Sequence, residues 1–239
     1  YTGEELPEVY DYLIRLEGYL GKKINRLNPD KDFQYYLKLY NYFLPSAQQR
    51  WCTSKLKIHP FEEWIRSDLN EGVSVTSYVA IRFDEPNRMG HQKVHENYNV
   101  RFPFQEERID RSGVMEILDS CGVGVPEYYS WRSRSGCTFC FFQRKVEWVR
   151  LLERYPEEFE KAKKIEQISM ENDSPFTWTK NETLEELSQP DRVNKIKEDH
   201  EKRRNRELAR RKINPLDPST FLDDDELFGQ DKFCITCHK

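Results

Sequence analysis

The chain has 239 residues, 37% of them apolar and 13% aromatic, enough for a packed core in one domain with an appendage or in two small domains. Charged residues make up 33% but nearly cancel at −4, so no whole-protein field attracts nucleic acid and any such contact must come from a local patch. No apolar run is long enough to span a bilayer, and no charged-then-apolar leader precedes a small-residue cleavage site, so the expectation is a cytoplasmic protein with no membrane partner.

The opening Tyr1-Thr2-Gly3-Glu4-Glu5-Leu6-Pro7-Glu8 reads as a loop leaving a strand and entering a helix, and without an initiator Met an upstream segment is expected to be missing. Pro7 suits a first helical turn, and Val9, Leu13, Leu16 and Leu20 follow at helical intervals, predicting a helix from Pro7 to Leu20. After an apolar piece around Ile24–Leu27, aromatic-rich Phe33–Phe43 predicts a second helix stopped near Pro45, and Phe61–Ile65 after Pro60 a third. Val73–Phe83 is β-branched and aromatic, as expected of a buried parallel strand, and runs into the charged loop Asp84-Glu85-Pro86-Asn87-Arg88.

Val114–Leu118 predicts a helix ending at Gly122, and Pro126-Glu127-Tyr128-Tyr129 leads into a cysteine-bearing segment. Glu147–Arg154 and Glu157–Ile168 predict an amphipathic helical pair broken at Pro156. From about Asn181 the composition shifts: Val193–Ile213 is a helix of Lys, Arg and Glu, followed by Pro215, Pro218 and the acidic Asp223–Glu226. The expected division is a main domain over 1–178 and a charged helical extension over 179–239 ending in CxxCH. Alternating charges predict a solvated face stitched by i,i+4 pairs; a nucleic-acid contact through Arg203, Arg204, Arg206, Arg210 and Arg211 is the other reading, diluted by interspersed acids.

The stretch Arg132–Trp148, RSRSGCTFCFFQRKVEW, sets Cys137 and Cys140 in a CxxC hook; Cys234 and Cys237 form a second, and Cys52 lies far upstream in WCTSKLKIHPF. Two thiolates on one turn grip one metal centre, so iron–sulfur or zinc is expected in preference to a disulfide framework. By spacing alone a tetrahedral zinc takes Cys137, Cys140, Cys234 and Cys237. Cys234-Ile235-Thr236-Cys237-His238 also matches the c-type haem pattern, which belongs to exported proteins and needs a second axial ligand. Trp131, Phe139, Phe141, Phe142 and Trp148 are expected to pack the apolar shell of the metal site, while His59, His91 and His95 lack metal spacing.

Four segments, in order, resemble the phosphoadenosine phosphosulfate (PAPS) reductase family. YTGEELPE is similar to its second-strand loop, WCTSKLKIHPF to its cysteine–basic–Lys–x–x–Pro segment, AIRFDEPNR to its Gly-Ile-Arg…Glu-Ser…Arg loop, and RSRSGCTFC to its Gly-Cys-x-x-Cys hook. The resemblance covers roughly Tyr1 to Ile168, and RSRSGC, CFFQ and the terminal CxxCHK look like a branch related also to enzymes that put sulfur into nucleic acids. It implies an α/β fold of the adenine nucleotide alpha-hydrolase-like (PP-loop) type, a parallel sheet flanked by helices. Relative to that fold, the first strand and the phosphate loop, Ser-Gly-Gly-x-Asp-Ser, are missing.

The implied chemistry belongs to an oxidoreductase or a sulfurtransferase: reductive release of sulfite from PAPS, or ATP-dependent sulfur transfer to a nucleic-acid substrate. A thiol reductant or a sulfur donor protein is the implied partner. The implied cofactor is a 4Fe-4S cluster on Cys52, Cys137, Cys140 and one of Cys234 or Cys237, with Cys121 a weaker candidate. Cys237 beside His238 is loosely similar to the reductases' C-terminal nucleophile, without their glycine. Thr2, Gly3 and Glu4 would lie near the adenosine. Lys57, Arg82, Arg88, Arg132 and Arg134 are the cations for its phosphates or sulfate, with ion pairing to acidic neighbours, such as Glu85 with Arg88, as the competing role. Thr53 follows Cys52 where iron–sulfur reductases carry adjacent cysteines, and Pro86 replaces a common serine. The rival reading from another class is a non-enzymatic, zinc-stapled module that binds nucleic acid or protein through the Arg-rich helix.

Overall fold

Helix α1, Pro7–Leu20, has the predicted bounds: proline opens it and Gly21, at φ 61°, ends it in the left-handed conformation that an L side chain resists. The chain is described here from a computed structural model covering residues 2–27, 30–88, 90, 95–133, 136–172, 174 and 176–213. Arg134, Cys234, Cys237, His238 and the acidic Asp223–Glu226 lie outside the described residues, as do the side chains of Arg210 and Arg211.

The chain divides into two compact units, one built from residues 2–36 and 49–128, the other from 37–48 and 129–213. Residues 179–213 fall within the second unit.

Helix α2, Phe33–Leu39, ends four residues before the predicted Phe43. Asn41 and Tyr42 take φ of 51° and 61°, and the Tyr42 N–H closes the turn on the Leu37 carbonyl at 2.7 Å. The third predicted helix starts earlier than Phe61 and runs further. Trp51–Thr53 (α3) leads through a π-helical turn, Ser54–Ile58, into α4, His59–Trp64, and α5, Arg66–Asn70. Pro60 has no N–H for the carbonyl one turn back, so a widened turn ahead of it lets the helix run through a position that reads as a helix start.

The predicted strand shrinks to β1, Val75–Tyr78, which pairs in parallel with β2, Tyr98–Arg101, in the register Val75 to Tyr98 and Tyr78 to Arg101. The expectation of a strand buried on both faces is corrected: burial alternates along β1, and Tyr78 is 65% exposed. Beyond Val79 the Ile81 N–H turns back to the Val79 carbonyl at 2.9 Å, which takes the chain off the ladder. Ile65 and Leu69 from the helical run pack with Tyr98, Phe61, Val75 and Val100, so one face of the parallel pair is covered by helix. This unit also holds α6, Pro103–Glu106, and α7, Arg111–Ser120, the latter capped by the Asp110 carboxylate on the Gly113 N–H at 2.9 Å.

The second unit is helical. After a 3-10 turn, Glu127–Ser130, come α8, Lys145–Arg154, and α9, Pro156–Glu171, whose first residue is the proline expected to separate them. Trp148 has no exposed surface and meets Phe159 edge-on and Trp178 tilted, at centroid distances of 6.3 and 6.0 Å. The Glu166 carboxylate, buried in α9, accepts the Trp178 and Leu184 N–H groups at 2.8 and 2.6 Å and ties the following loop to α10, Leu184–Leu187. The charged helix, α11, spans Pro190–Ile213; it buries Ile196 and carries ion pairs outward, including Arg192 to Glu182 and Lys197 to Glu153. The architecture is thus mixed helix and strand with a parallel pair, and none of the described helices is long and apolar enough to cross a membrane.

Candidate functional site

The cysteine hook of the second unit is held from inside by Arg132. This side chain, 2% exposed, donates to the Cys137 carbonyl at 2.7 Å, the Thr138 carbonyl at 3.4 Å and Gln143 Oε1 at 2.7 Å, with its guanidinium carbon 4.8 Å from the Trp131 ring centre. Gln143 Nε2 donates to the Thr138 carbonyl at 2.5 Å, and the Gln143 N–H to that of Cys140 at 3.0 Å. Apart from the Arg132–Gln143 link, these bonds hold the backbone of the hook, and Cys137 and Cys140 are both half-buried.

The ends of this loop meet on one carboxylate. Glu147 has no exposed surface and accepts the Ser133 N–H and hydroxyl at 2.8 and 2.7 Å and the Arg144 N–H at 2.9 Å. Burial alone would raise the Glu147 pKa; the Arg144 charge and the hydrogen bonds from Ser133 and Arg144 outweigh it and hold the carboxyl below its usual range. Of the five aromatics in this stretch, Trp131, Phe139 and Trp148 are buried, with Phe139 packed 6.0 Å from Trp178, while half-buried Phe141 and Phe142 pack on each other at 4.3 Å.

Cys52 belongs to the first unit, on α3, and Lys57 to the π-helical turn that follows it. Among the described residues, no group of three or more His, Cys, Asp or Glu side chains is placed to hold a metal ion. The hook itself offers two ligands.

The first unit's predicted binding residues form tight local structures. Glu5 accepts the Thr2 N–H at 2.9 Å, the Thr2 hydroxyl at 2.6 Å, the Gly3 N–H at 3.1 Å and the Tyr10 hydroxyl at 3.0 Å. Gly3 sits at φ +80°, and a Cβ there would lie 2.9 Å from Asp32 Cβ. Glu4 is buried and accepts from Gln34 Nε2 at 2.7 Å, while the Thr2 carbonyl accepts the Phe33 N–H at 2.8 Å. Further along, Arg82 forks onto Asp84 at 2.9 and 3.1 Å, and Arg88 pairs with Glu85 at 2.5 Å. Both loop arginines therefore already hold carboxylates of their own loop.

Glu147, Gln143 and Arg144 are site residues that sequence reasoning passed over. Glu147 stands three residues after Arg144, the capping-box spacing, and that was the available signal.

Comparison with known proteins adds one relative. The chain is 23% identical over 169 residues to an uncharacterized protein of Methanocaldococcus jannaschii, MJ0066, the match taking in 69% of this chain. It spans 34% of that relative's length. No family model and no solved structure matches the chain.

Proposed function

We propose that the chain belongs to a cytoplasmic protein of adenine nucleotide alpha-hydrolase-like architecture that carries out sulfur chemistry on an activated adenine nucleotide, with a thiolate-bound metal centre at Cys137 and Cys140. Support comes first from the order of four PAPS-reductase-like segments along the chain. The observation that carries the reading is the hook: a loop fixed through its own carbonyls by Arg132 and Gln143, with two half-buried cysteines at CxxC spacing on it. Such preorganisation suits a metal site, because ligands already in place lose little freedom on binding.

Cys137 and Cys140 fit as two of the four thiolates of an iron–sulfur cluster, and the sequence supplies Cys52, Cys234 and Cys237 as candidates for the others. When bound, the cluster would supply redox chemistry beside the sulfur being moved. The residues of this chain do the rest. Arg132 fixes the hook, Glu147 closes its loop, and Arg82 and Arg88 offer guanidinium forks to phosphate or sulfate once released from Asp84 and Glu85. Cys237 is the candidate nucleophile, and a thiol reductant or sulfur donor protein supplies electrons or sulfur.

Two assays test this. The protein is given PAPS with a dithiol and sulfite is measured; in parallel it is given ATP with a nucleic acid and a sulfur donor, and pyrophosphate is measured. Either product, lost in Cys137→Ser, supports the reading and selects between reductase and sulfurtransferase. Neither product, with stoichiometric zinc in colourless protein, replaces it with a zinc-stapled binding module.

A further inference from the structure

Trp131 gathers three guanidinium groups. Arg132 lies over its ring at 4.8 Å and Arg154 at 5.6 Å, while Arg150 donates to its carbonyl at 2.8 Å. Arg132 is consumed beneath the cysteine hook, but the other two stand one helical turn apart on α8, at i and i+4, and so share a face. Glu147 and Arg144 continue that ridge toward the helix start at successive three-residue steps.

The ridge is short of negative charge. Glu147 is its one anion, and that carboxylate is spent on the Ser133 N–H and hydroxyl and on the Arg144 N–H. Nε and Nη1 of Arg144 are buried with no hydrogen-bond acceptor among the described residues, and its Nη2 reaches Glu147 only at 3.4 Å. Arg150 is half-buried, and burial first, then the charges of Arg144 and Arg154, push its pKa down from the usual arginine value against the opposing charges of Glu147 and Glu153. Glu153, the neighbouring acid, faces Lys197. Such crowding costs stability unless an anion is taken up, and the planar forks of arginine fit tetrahedral oxyanions.

We propose that the α8 ridge of Arg144, Arg150 and Arg154 is a binding site for a phosphate or sulfate group, separate from the thiols of the hook. Arg154, exposed at the end of the ridge, makes the first contact, and half-buried Arg150, anchored on the Trp131 carbonyl, fixes the anion's position. The group comes either from a small nucleotide or from a phosphodiester backbone.

Calorimetry on the full chain distinguishes these sources with three probes: inorganic pyrophosphate, ADP, and a single-stranded oligoribonucleotide titrated at several salt concentrations. Saturable binding of pyrophosphate or ADP is the result expected for a nucleotide. Binding of the oligonucleotide alone, with affinity falling steeply with salt, is the result expected for a backbone contact. In either case Arg154→Gln weakens binding at least tenfold without changing circular dichroism or the metal content of the hook, and Lys195→Gln, on exposed α11 surface, does not. Arg150→Gln, which also cuts the anchor on Trp131, is the second variant. Absence of binding to all three probes, or equal binding by wild type and Arg154→Gln, overturns the proposal. The readout does not depend on metal, so the result stands whether or not the hook holds a cluster.

Discussion

Glu147 receives both the backbone N–H and the hydroxyl of Ser133, at 2.8 and 2.7 Å, across a loop that contains both cysteines of the hook. One buried carboxylate thereby closes the loop, since its other oxygen takes the Arg144 N–H at 2.9 Å. Glu147→Gln puts an NH2 group against an N–H or hydroxyl donor and leaves buried donors without an acceptor, a loss of about 1–3 kcal/mol. Chemical denaturation of wild type and variant at neutral pH measures it. A variant as stable as wild type removes Glu147 from the account of the hook.

The same residue gives a pH signature. Its folded pKa lies below the ordinary carboxylate value, burial opposing and the Arg144 charge and hydrogen bonds outweighing it. The unfolded state therefore binds the proton first on acidification. Its contribution is fully present above the unfolded carboxylate pKa of about 4.3 and is lost as pH falls through the lower folded value. The stability gap between wild type and Glu147→Gln is expected to be flat from neutral pH down to about 5 and to shrink below about 4. Glu166 acts with the opposite sign. Burial lifts its pKa, so its term weakens the fold as pH rises from the ordinary carboxylate value through the raised one.

Gly3→Ala is expected to cost about 1–3 kcal/mol, because φ of +80° disfavours any side chain and the new Cβ would stand 2.9 Å from Asp32 Cβ. Thermal unfolding detects the loss, and Gly72→Ala serves as reference: its φ is +78° with nothing within 4 Å, so the difference between the two isolates the clash.

In the loop after β1, an adenine nucleotide that uses Arg88 must displace Glu85, which holds that guanidinium at 2.5 Å. Glu85→Gln removes the competition, so nucleotide affinity measured by calorimetry is expected to rise severalfold. A fall would show that Glu85 itself touches the ligand.

The sequence made some of this legible and hid the rest for physical reasons. Pro7 and Gly21 punctuate α1 so strongly that its bounds follow from them alone. The helical run from Trp51 was missed because Pro60 looks like a start, whereas a π-helical turn absorbs it. Val73–Phe83 has the composition of a long buried strand, but only Val75–Tyr78 pairs, since strand length depends on a neighbour that composition does not reveal. At the hook, CxxC and the aromatic floor were readable. Glu147 was not, because a glutamate in a charged helix looks solvated until the loop before it folds back. Arg132 was read as an oxyanion contact or as a partner of acidic neighbours, and the bonds it makes to the Cys137 and Thr138 carbonyls and to Gln143 depend on a loop fold that residue spacing does not reveal.

The central claim is that the Cys137–Cys140 hook carries a metal centre. Purifying the full chain without oxygen and measuring iron, sulfide, zinc and the visible spectrum tests it most directly. The account predicts brown protein with iron and sulfide in equal amounts and absorbance near roughly 400 nm, all lost in Cys137→Ser and Cys140→Ser. Colourless protein free of iron and zinc, with the same spectrum in wild type and both variants, would contradict it.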